Sequence, residues 1–201
     1  MKKLTFMVCI LFLSLSNCAD DNDLLNPENN GGKYYYPLKV GNIWYYDVHN
    51  SDSNPCIKRI VENKLLLNGH TYYIINDIWG YSSQYPNNYK GTLRNDNDGN
   101  IWKYTKGKEY LFYDFSLKDG DTYKYTANSL SNDDDYIVTV KKVGRVETDK
   151  GVYDDCVEIF FDIPKYVDDE KWYIFAPNVG LIKETSGEGP TIILNSYAFY
   201  L

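Results

Sequence analysis

Hydrophobic and polar residues alternate along most of the chain from Tyr34 onward. Short runs rich in Tyr, Ile, Val, Trp and Phe are separated by clusters of Gly, Asn, Asp and Pro, which is typical of proteins built from β-strands. We find no convincing run of apolar residues at the three-to-four-residue spacing of an amphipathic helix. The pattern therefore predicts an all-β domain.

The clearest predicted hairpin joins residues 57–67 to residues 71–79 through Asn68-Gly69. Asn-Gly favours a two-residue type I′ turn, because both central residues of that turn need a positive φ. Turn residues of similar kind predict three further hairpins and a last strand: residues 91–94 with 101–104, residues 136–147 with 152–162, residues 171–175 with 181–184, and residues 192–201.

These segments amount to about a dozen strands in consecutive order, which is more than a flat sheet holds comfortably. We therefore expect an antiparallel meander that curls into a barrel-like sheet, in preference to a two-layered sandwich. The pairing of neighbouring strands follows from the turns. The order of strands that are distant in the chain does not.

The N-terminus has the layout of a signal peptide, with two lysines before an uncharged apolar run at residues 4–15. This run is shorter than the roughly 20 residues that cross a bilayer as a helix. The tetrapeptide Leu-Ser-Asn-Cys that follows resembles the lipobox of bacterial lipoproteins, although the family usually has Gly, Ala or Ser in place of Asn17. The resemblance implies removal of residues 1–17 and a lipid on Cys18. The alternative is an ordinary signal peptide in which Cys18 is incidental.

Residues 18–33 mix acids, Asn, Pro and Gly, and predict a flexible tether that leads to a single domain of residues 34–201. The acidic run at residues 20–23 resembles the signal that sends lipoproteins of Bacteroidetes-type bacteria to the cell surface. The alternative is that these carboxylates only keep the tether solvated and extended. We expect a protein held on the outer membrane by its lipid. Its domain faces either the periplasm or the outside of the cell.

The charge of the chain narrows the classes of partner. There are 28 Asp and Glu residues against 21 Lys and Arg, a net charge of −7, and loss of the signal peptide with its two lysines makes the charge −9. Such a chain repels a phosphate backbone, so a nucleic acid is not an expected partner.

Two cysteines, Cys56 and Cys156, remain once Cys9 leaves with the signal peptide and Cys18 takes the lipid. Two thiols in an oxidising compartment could pair as a disulfide. The alternative is two free thiols that act as small apolar residues within strands.

The sequence contains no motif that predicts catalysis, a metal ion or a cofactor. Its two histidines, His49 and His70, lack metal-ligand spacing, and His70 belongs to the predicted turn at Asn68-Gly69. The segment Asp-Asn-Asp-Gly at residues 96–99 superficially resembles a calcium loop. Alignment with such a loop puts Arg94 and Thr105 where carboxylates are required, so a hairpin turn is the better interpretation.

Residues 36–46, with Pro-Leu-x-x-Gly-Asn-x-Trp-x-Tyr, resemble the opening of a family of bacterial envelope lipoproteins. Further pieces of the resemblance lie in the expected order at residues 113–123, 151–156 and 172–182. The resemblance implies a β-rich envelope domain and supplies no catalytic residue. Within it, Trp44, Trp102 and Trp172 are predicted to fill the core.

Tyrosine is unusually common, with 21 residues. One interpretation is β-propensity with solubility, and the other is a stacking surface for a ligand. We expect a non-enzymatic module that binds a glycan, lipid or protein ligand, or has a structural role. A cavity lined by aromatic residues would favour a carrier, and a filled core with exposed tyrosines would favour a surface module. The rival hypothesis is a hydrolase of envelope polymers, which would need a cleft with two acids, one of shifted pKa.

Overall fold

Twelve antiparallel strands joined in chain order form the described part of the protein. A computed structural model describes residues 33–49, 56–80, 89–126, 135–187 and 189–200. The strands are β1 (Ile43–His49), β2 (Cys56–Leu67), β3 (His70–Trp79), β4 (Tyr89–Asn95), β5 (Ile101–Thr105), β6 (Lys108–Tyr113), β7 (Thr122–Tyr125), β8 (Tyr136–Thr148), β9 (Gly151–Asp162), β10 (Lys171–Ala176), β11 (Gly180–Ser186) and β12 (Thr191–Ala198).

The predicted signal peptide of residues 1–17, Cys18 and the tether up to residue 32 lie outside the described residues. Residues 32–201 form a compact unit of their own. Among the residues that the structure describes, no helix has the length and apolar character needed to cross a membrane.

All twelve strands belong to one sheet that curls into a nearly closed barrel. The order of strands is β6-β5-β4-β3-β2-β1-β12-β11-β10-β9-β8-β7, so β1 and β12 lie at its centre and β6 and β7 at its edges. The two edges meet through side chains. The Tyr123 hydroxyl on β7 donates a hydrogen bond of 2.7 Å to the carbonyl of Phe112 on β6, and the ring of Phe112 lies 5.2 Å from that of Tyr125. The predicted antiparallel, barrel-like meander is confirmed.

The turns explain why the predicted hairpins form. Asn68 and Gly69 have φ values of 51° and 81°, as a type I′ turn requires, and Gly99 closes the β4–β5 turn with a φ of 83°. A further hairpin, not among those predicted, joins β5 to β6 through Lys106 and Gly107, which have φ values of 50° and 76°.

The core lies inside the barrel, with Trp44 on β1 fully buried at its centre. The indole Nε1 donates to the carbonyl of Val179 at 2.6 Å. Gly180 begins β11 directly beneath this ring, with a φ of 106°, and a Cβ atom there would lie 3.0 Å from the Trp44 Nε1 atom. The turn between β10 and β11 therefore fits against the buried indole.

The prediction that Trp102 and Trp172 fill the core is wrong. Lys103 and Tyr173 line the interior, and successive residues of a strand point to opposite faces. Trp172 therefore stacks on Phe160 on the outer face at 5.1 Å. On the same face, the guanidinium of Arg94 lies 5.3 Å from the centre of the Trp102 ring, and this ring is only partly buried.

Candidate ligand-binding cavity

A cavity of about 390 Å³ lies inside the barrel and is partly open to solvent. Its size falls within the roughly 300–1,000 Å³ of small-molecule sites. The wall combines aromatic rings with charged side chains, and its residues come from the ten strands β2 to β11 and from the segment before β1. The residues that line it are Tyr36, Arg59, Ile75, Asp77, Trp79, Gly91, Leu93, Lys103, Phe112, Tyr113, Tyr125, Tyr136, Phe161, Lys171, Tyr173 and Glu184.

An ion pair between Arg59 and Asp77 forms one part of the wall. The residues face each other across β2 and β3, and the guanidinium donates from Nε to Oδ1 at 2.7 Å and from Nη2 to Oδ2 at 2.6 Å. Nη1 also donates to the hydroxyl of Tyr36 at 3.3 Å. Burial alone would lower the pKa of Arg59, but the charge of Asp77 and its hydrogen bonds to the guanidinium raise it well above its ordinary value. Arg59 therefore stays charged, and its two hydrogen bonds to Asp77 fix the guanidinium in place.

Glu184 on β11 is a second acid in the cavity. It lies directly across from Tyr173 on β10, and Lys171 lies two residues from Tyr173 on that strand. The Glu184 carboxyl makes no hydrogen bond or ion pair with any other described residue. Burial raises its pKa, the charges of Arg59 and Lys171 oppose that rise, and the charge of Asp77 adds to it. Glu184 is thus a partly desolvated acid without a hydrogen-bonding or ionic partner in the described part of the chain.

Lys171 is held at the cavity wall by an aromatic neighbour. Its Nζ donates to the hydroxyl of Tyr136 at 3.4 Å and lies 5.5 Å from the centre of the same ring. This arrangement satisfies one of the three donors of the ammonium group and places its charge on the cavity side of β10. Lys171 therefore has donors left for a ligand.

Aromatic rings form most of the remaining wall. Tyr113 lies 5.6 Å from Tyr173 and 4.8 Å from Phe175, and Phe161 packs edge-on against Tyr173 at 5.5 Å. Burial raises the pKa of Tyr36 to about 12 and that of Tyr113 well above its ordinary value. These tyrosines therefore remain neutral hydroxyl groups, each able to donate and to accept a hydrogen bond.

Other residues considered as candidates from the sequence lie away from this cavity. His70 is exposed beside its turn, as predicted. The carboxylate of Asp96 accepts hydrogen bonds from the backbone of Asp98 and Asn100, and from the side chains of Asn100 and Trp102. All of its oxygen lone pairs are thereby used within the turn, which confirms a hairpin there. No group of potential metal ligands occurs among the described residues.

Cys56 and Cys156 are free thiols in the structure. Cys56 begins β2 and is partly buried, whereas Cys156 is buried in β9 and its Sγ lies 3.4 Å from the carbonyl oxygen of Tyr153. Burial raises the pKa of Cys156 to about 11, so the thiol stays protonated. A count of free thiols on the denatured, unreduced chain tests which of the two alternatives holds.

The sequence pattern contained a signal for the charged cavity residues Arg59 and Asp77, which were not among the predicted site residues. Ile57 and Val61 are both buried, and Arg59 lies between them in the same alternation. Asp77 lies two residues after the buried Ile75 and so also points inward from its strand. A charged residue at an inward position of a strand is costly unless it is paired, so such positions indicate a functional or strongly paired group.

No family model matches the chain, and no curated protein matches it. Two solved structures are similar to it. One is a protein described as exported, with a YmcC-like fold, from Bacteroides fragilis, at 13% identity over 83% of this chain and 100% of that chain, with a TM-score of 0.49. The other is a protein described as a lipoprotein from Parabacteroides distasonis, at 11% identity over 83% of this chain and 99% of that chain, with a TM-score of 0.48. At these scores the likeness decides neither a family nor a function.

Proposed function

We propose that the protein is an envelope lipoprotein, attached to the outer membrane through Cys18, whose β domain binds a small ligand without chemically changing it. The observation that supports binding most directly is the cavity inside the barrel, with its aromatic wall and with Glu184, which has no partner among the described residues. The lipobox-like segment that ends at Cys18 supports the anchor. The acidic residues 20–23 support exposure at the cell surface.

A hydrolase is the second candidate, because the cavity holds two acids, Asp77 and Glu184, and burial raises the pKa of Glu184. A glycosidase pair needs one acid to donate a proton and a free carboxylate to act as base or nucleophile. Both oxygens of Asp77 accept hydrogen bonds from Arg59. Asp77 is therefore unsuited to the second role, and binding is the better interpretation of the cavity.

Native mass spectrometry of the chain from residue 19 onward, secreted into a bacterial envelope, tests the binding proposal. Residues 32–201 form a compact unit, so the lipid can be omitted. We expect a bound mass that survives gentle ionisation and disappears when Leu93→Trp fills the cavity. Leu66→Trp, at an exposed position of β2, is the matched control. A bound mass unaffected by Leu93→Trp, or a ligand-free protein that also binds no added small molecule, would contradict the proposal.

Metabolic labelling with an alkyne-bearing fatty acid tests the anchor. The label is expected on the wild-type chain and absent from Cys18→Ala, because the lipid is attached to that sulfur. Cys9→Ala, which alters the other cysteine of the N-terminal segment, should keep the label. Equal labelling of the two variants would contradict lipidation at Cys18.

A further inference from the structure

The cavity wall contains more charge than a site for an alkyl chain requires. Three bases, Arg59, Lys103 and Lys171, and two acids, Asp77 and Glu184, line a space of about 390 Å³. Burial of a charged or polar group without a hydrogen-bonding partner is strongly unfavourable. An acyl chain in this space would remove water from Glu184 and Lys171 and offer neither of them a partner. The wall therefore disfavours a lipid tail as the ligand.

Charged ligands are also disfavoured. A cation placed at Glu184 would lie near the positive charges of Arg59 and Lys171, which already act on that carboxyl group. An anion placed at Lys171 would lie near the carboxyl group of Glu184, on which the charge of Lys171 already acts. Like charges brought together in a partly desolvated site repel more strongly than they do in water. A ligand without net charge avoids both kinds of repulsion.

The polar atoms that remain available match hydroxyl groups. The carboxylate of Glu184 accepts hydrogen bonds, and the ammonium group of Lys171 has donors left beside the one directed at Tyr136. The hydroxyl of Tyr113 also has no hydrogen bond to another described residue. A ligand hydroxyl group donates one hydrogen bond and accepts others. Neighbouring hydroxyl groups of one ligand can therefore donate to Glu184, accept from Lys171 and bond to the hydroxyl of Tyr113.

The aromatic side chains provide the other half of the match. Tyr173 lies directly across from Glu184, and Tyr36 and Tyr113 line the same space. A tyrosine offers an apolar ring face with a polar tip. A pyranose ring, with C–H groups on its faces and hydroxyl groups at its rim, contacts ring faces and polar tips in the same way.

We infer that the cavity binds an uncharged, hydroxyl-rich ligand of the sugar class, held between the tyrosine rings by hydrogen bonds to Glu184 and Lys171. This inference rests on the proposed binding function and specifies its ligand. It also assigns distinct parts to the two acids. Asp77 fixes Arg59, and Glu184 contacts the ligand.

Saturation-transfer NMR on the chain from residue 19 onward tests the inference. The probes are glucose, galactose, mannose, N-acetylglucosamine, cellobiose and lactose, with lauric acid as the acyl-chain probe and octylamine as the cationic probe. Transfer to at least one neutral sugar is expected. Transfer to lauric acid or octylamine alone, or to no probe, would overturn the inference.

Glu184→Gln distinguishes the cavity from a surface contact. Hydrogen bonds to a charged acceptor are roughly twice as strong as neutral ones, so this variant should weaken sugar binding about ten-fold. Glu158→Gln is the matched control, since that acid pairs with Lys141 on the outer face. Equal affinity of wild type and Glu184→Gln would also overturn the inference. Far-ultraviolet circular dichroism checks that both variants keep the wild-type fold.

The mass-spectrometry experiment separates this inference from the proposed function. A co-purified mass that Leu93→Trp removes, together with no binding of any sugar, would overturn the sugar inference and leave small-molecule binding intact. A ligand-free protein that also fails to bind every probe would contradict both.

Discussion

The Arg59–Asp77 pair offers the sharpest test of how the barrel interior is stabilised. Asp77→Asn keeps the shape of the side chain but removes the negative charge that faces the guanidinium across β2 and β3. Removal of one partner from a buried ion pair costs about 3–5 kcal/mol, because the other charge is left uncompensated. The side chains of Arg59 and Asp77 are 16% and 8% exposed, and Glu184 lies nearby, so we expect the lower end. The free energy of unfolding should fall by about 3 kcal/mol.

Removal of both charges should be far less harmful. In Arg59→Met with Asp77→Leu, neither charge of the pair remains and the side-chain volumes are similar. Replacement of a whole buried pair by apolar residues is often neutral or stabilising, so we expect a change within about 1 kcal/mol of the wild type. Glu158→Gln breaks the partly exposed pair with Lys141 and should cost about 1 kcal/mol or less.

Urea denaturation measures these differences, with circular dichroism and tyrosine fluorescence as two independent signals. The free energy of unfolding comes from linear extrapolation, and the slope with urea should stay constant if only stability changes. The reasoning would be refuted if Asp77→Asn lay within 1 kcal/mol of the wild type. It would also be refuted if the double variant were as unstable as Asp77→Asn, since uncompensated charge would then not be the cause.

Three further predictions follow. Burial raises the pKa of Glu184 above 4.5, so the protonated acid favours folding at low pH and this contribution is lost as pH rises through the raised pKa. Glu184→Gln should therefore be more stable than the wild type near neutral pH and gain nothing below pH 4.5; a pH-independent difference would contradict this. Gly180→Ala should lower the free energy of unfolding by about 2 kcal/mol, against about 1 kcal/mol for Gly107→Ala, because a methyl group at residue 107 contacts nothing; equal losses would show that packing is irrelevant. Denatured, unreduced chain from residue 19 onward should consume two equivalents of thiol reagent at Cys56 and Cys156, and consumption of none would show a disulfide.

The hairpins were predictable because their signals are local. Asn68-Gly69 specifies the positive φ values of a type I′ turn, and the flanking strands begin and end within a residue of the predicted ranges. The β5–β6 hairpin was missed even though Lys106-Gly107 forms a turn of the same kind. Lysine rarely adopts a positive φ, so the residue type gave less indication of the turn than asparagine does.

The inward or outward direction of the large aromatic residues was only partly predictable. In β10, aromatic residues occupy neighbouring positions at Trp172 and Tyr173, so alternation alone does not show which of them points inward. The larger ring was assigned to the core on size, yet Tyr173 lines the cavity and Trp172 stacks on Phe160 outside. The direction is visible only in the assembled sheet, where Tyr173 pairs with the buried Ile159 of β9 and with Glu184 of β11.

The cavity follows from the number of strands, and its chemistry follows from long-range register. About eight strands enclose a space that side chains fill, so a nearly closed sheet of twelve leaves room even for an interior rich in tyrosine. This interior volume could be predicted from the number of strands in the meander. The meeting of Arg59, Asp77 and Glu184 was not, because β11 reaches β2 only through β12 and β1, and each intervening pair has its own register. Between β1 and β12 the pairing register shifts at Tyr45 and Tyr46, which pair with Ser196 and Leu194. Such shifts are hard to predict from sequence, and a displacement of one residue reverses the face of every later side chain. Strand count thus sets the volume available to a ligand, and the accumulated registers decide which charges face it.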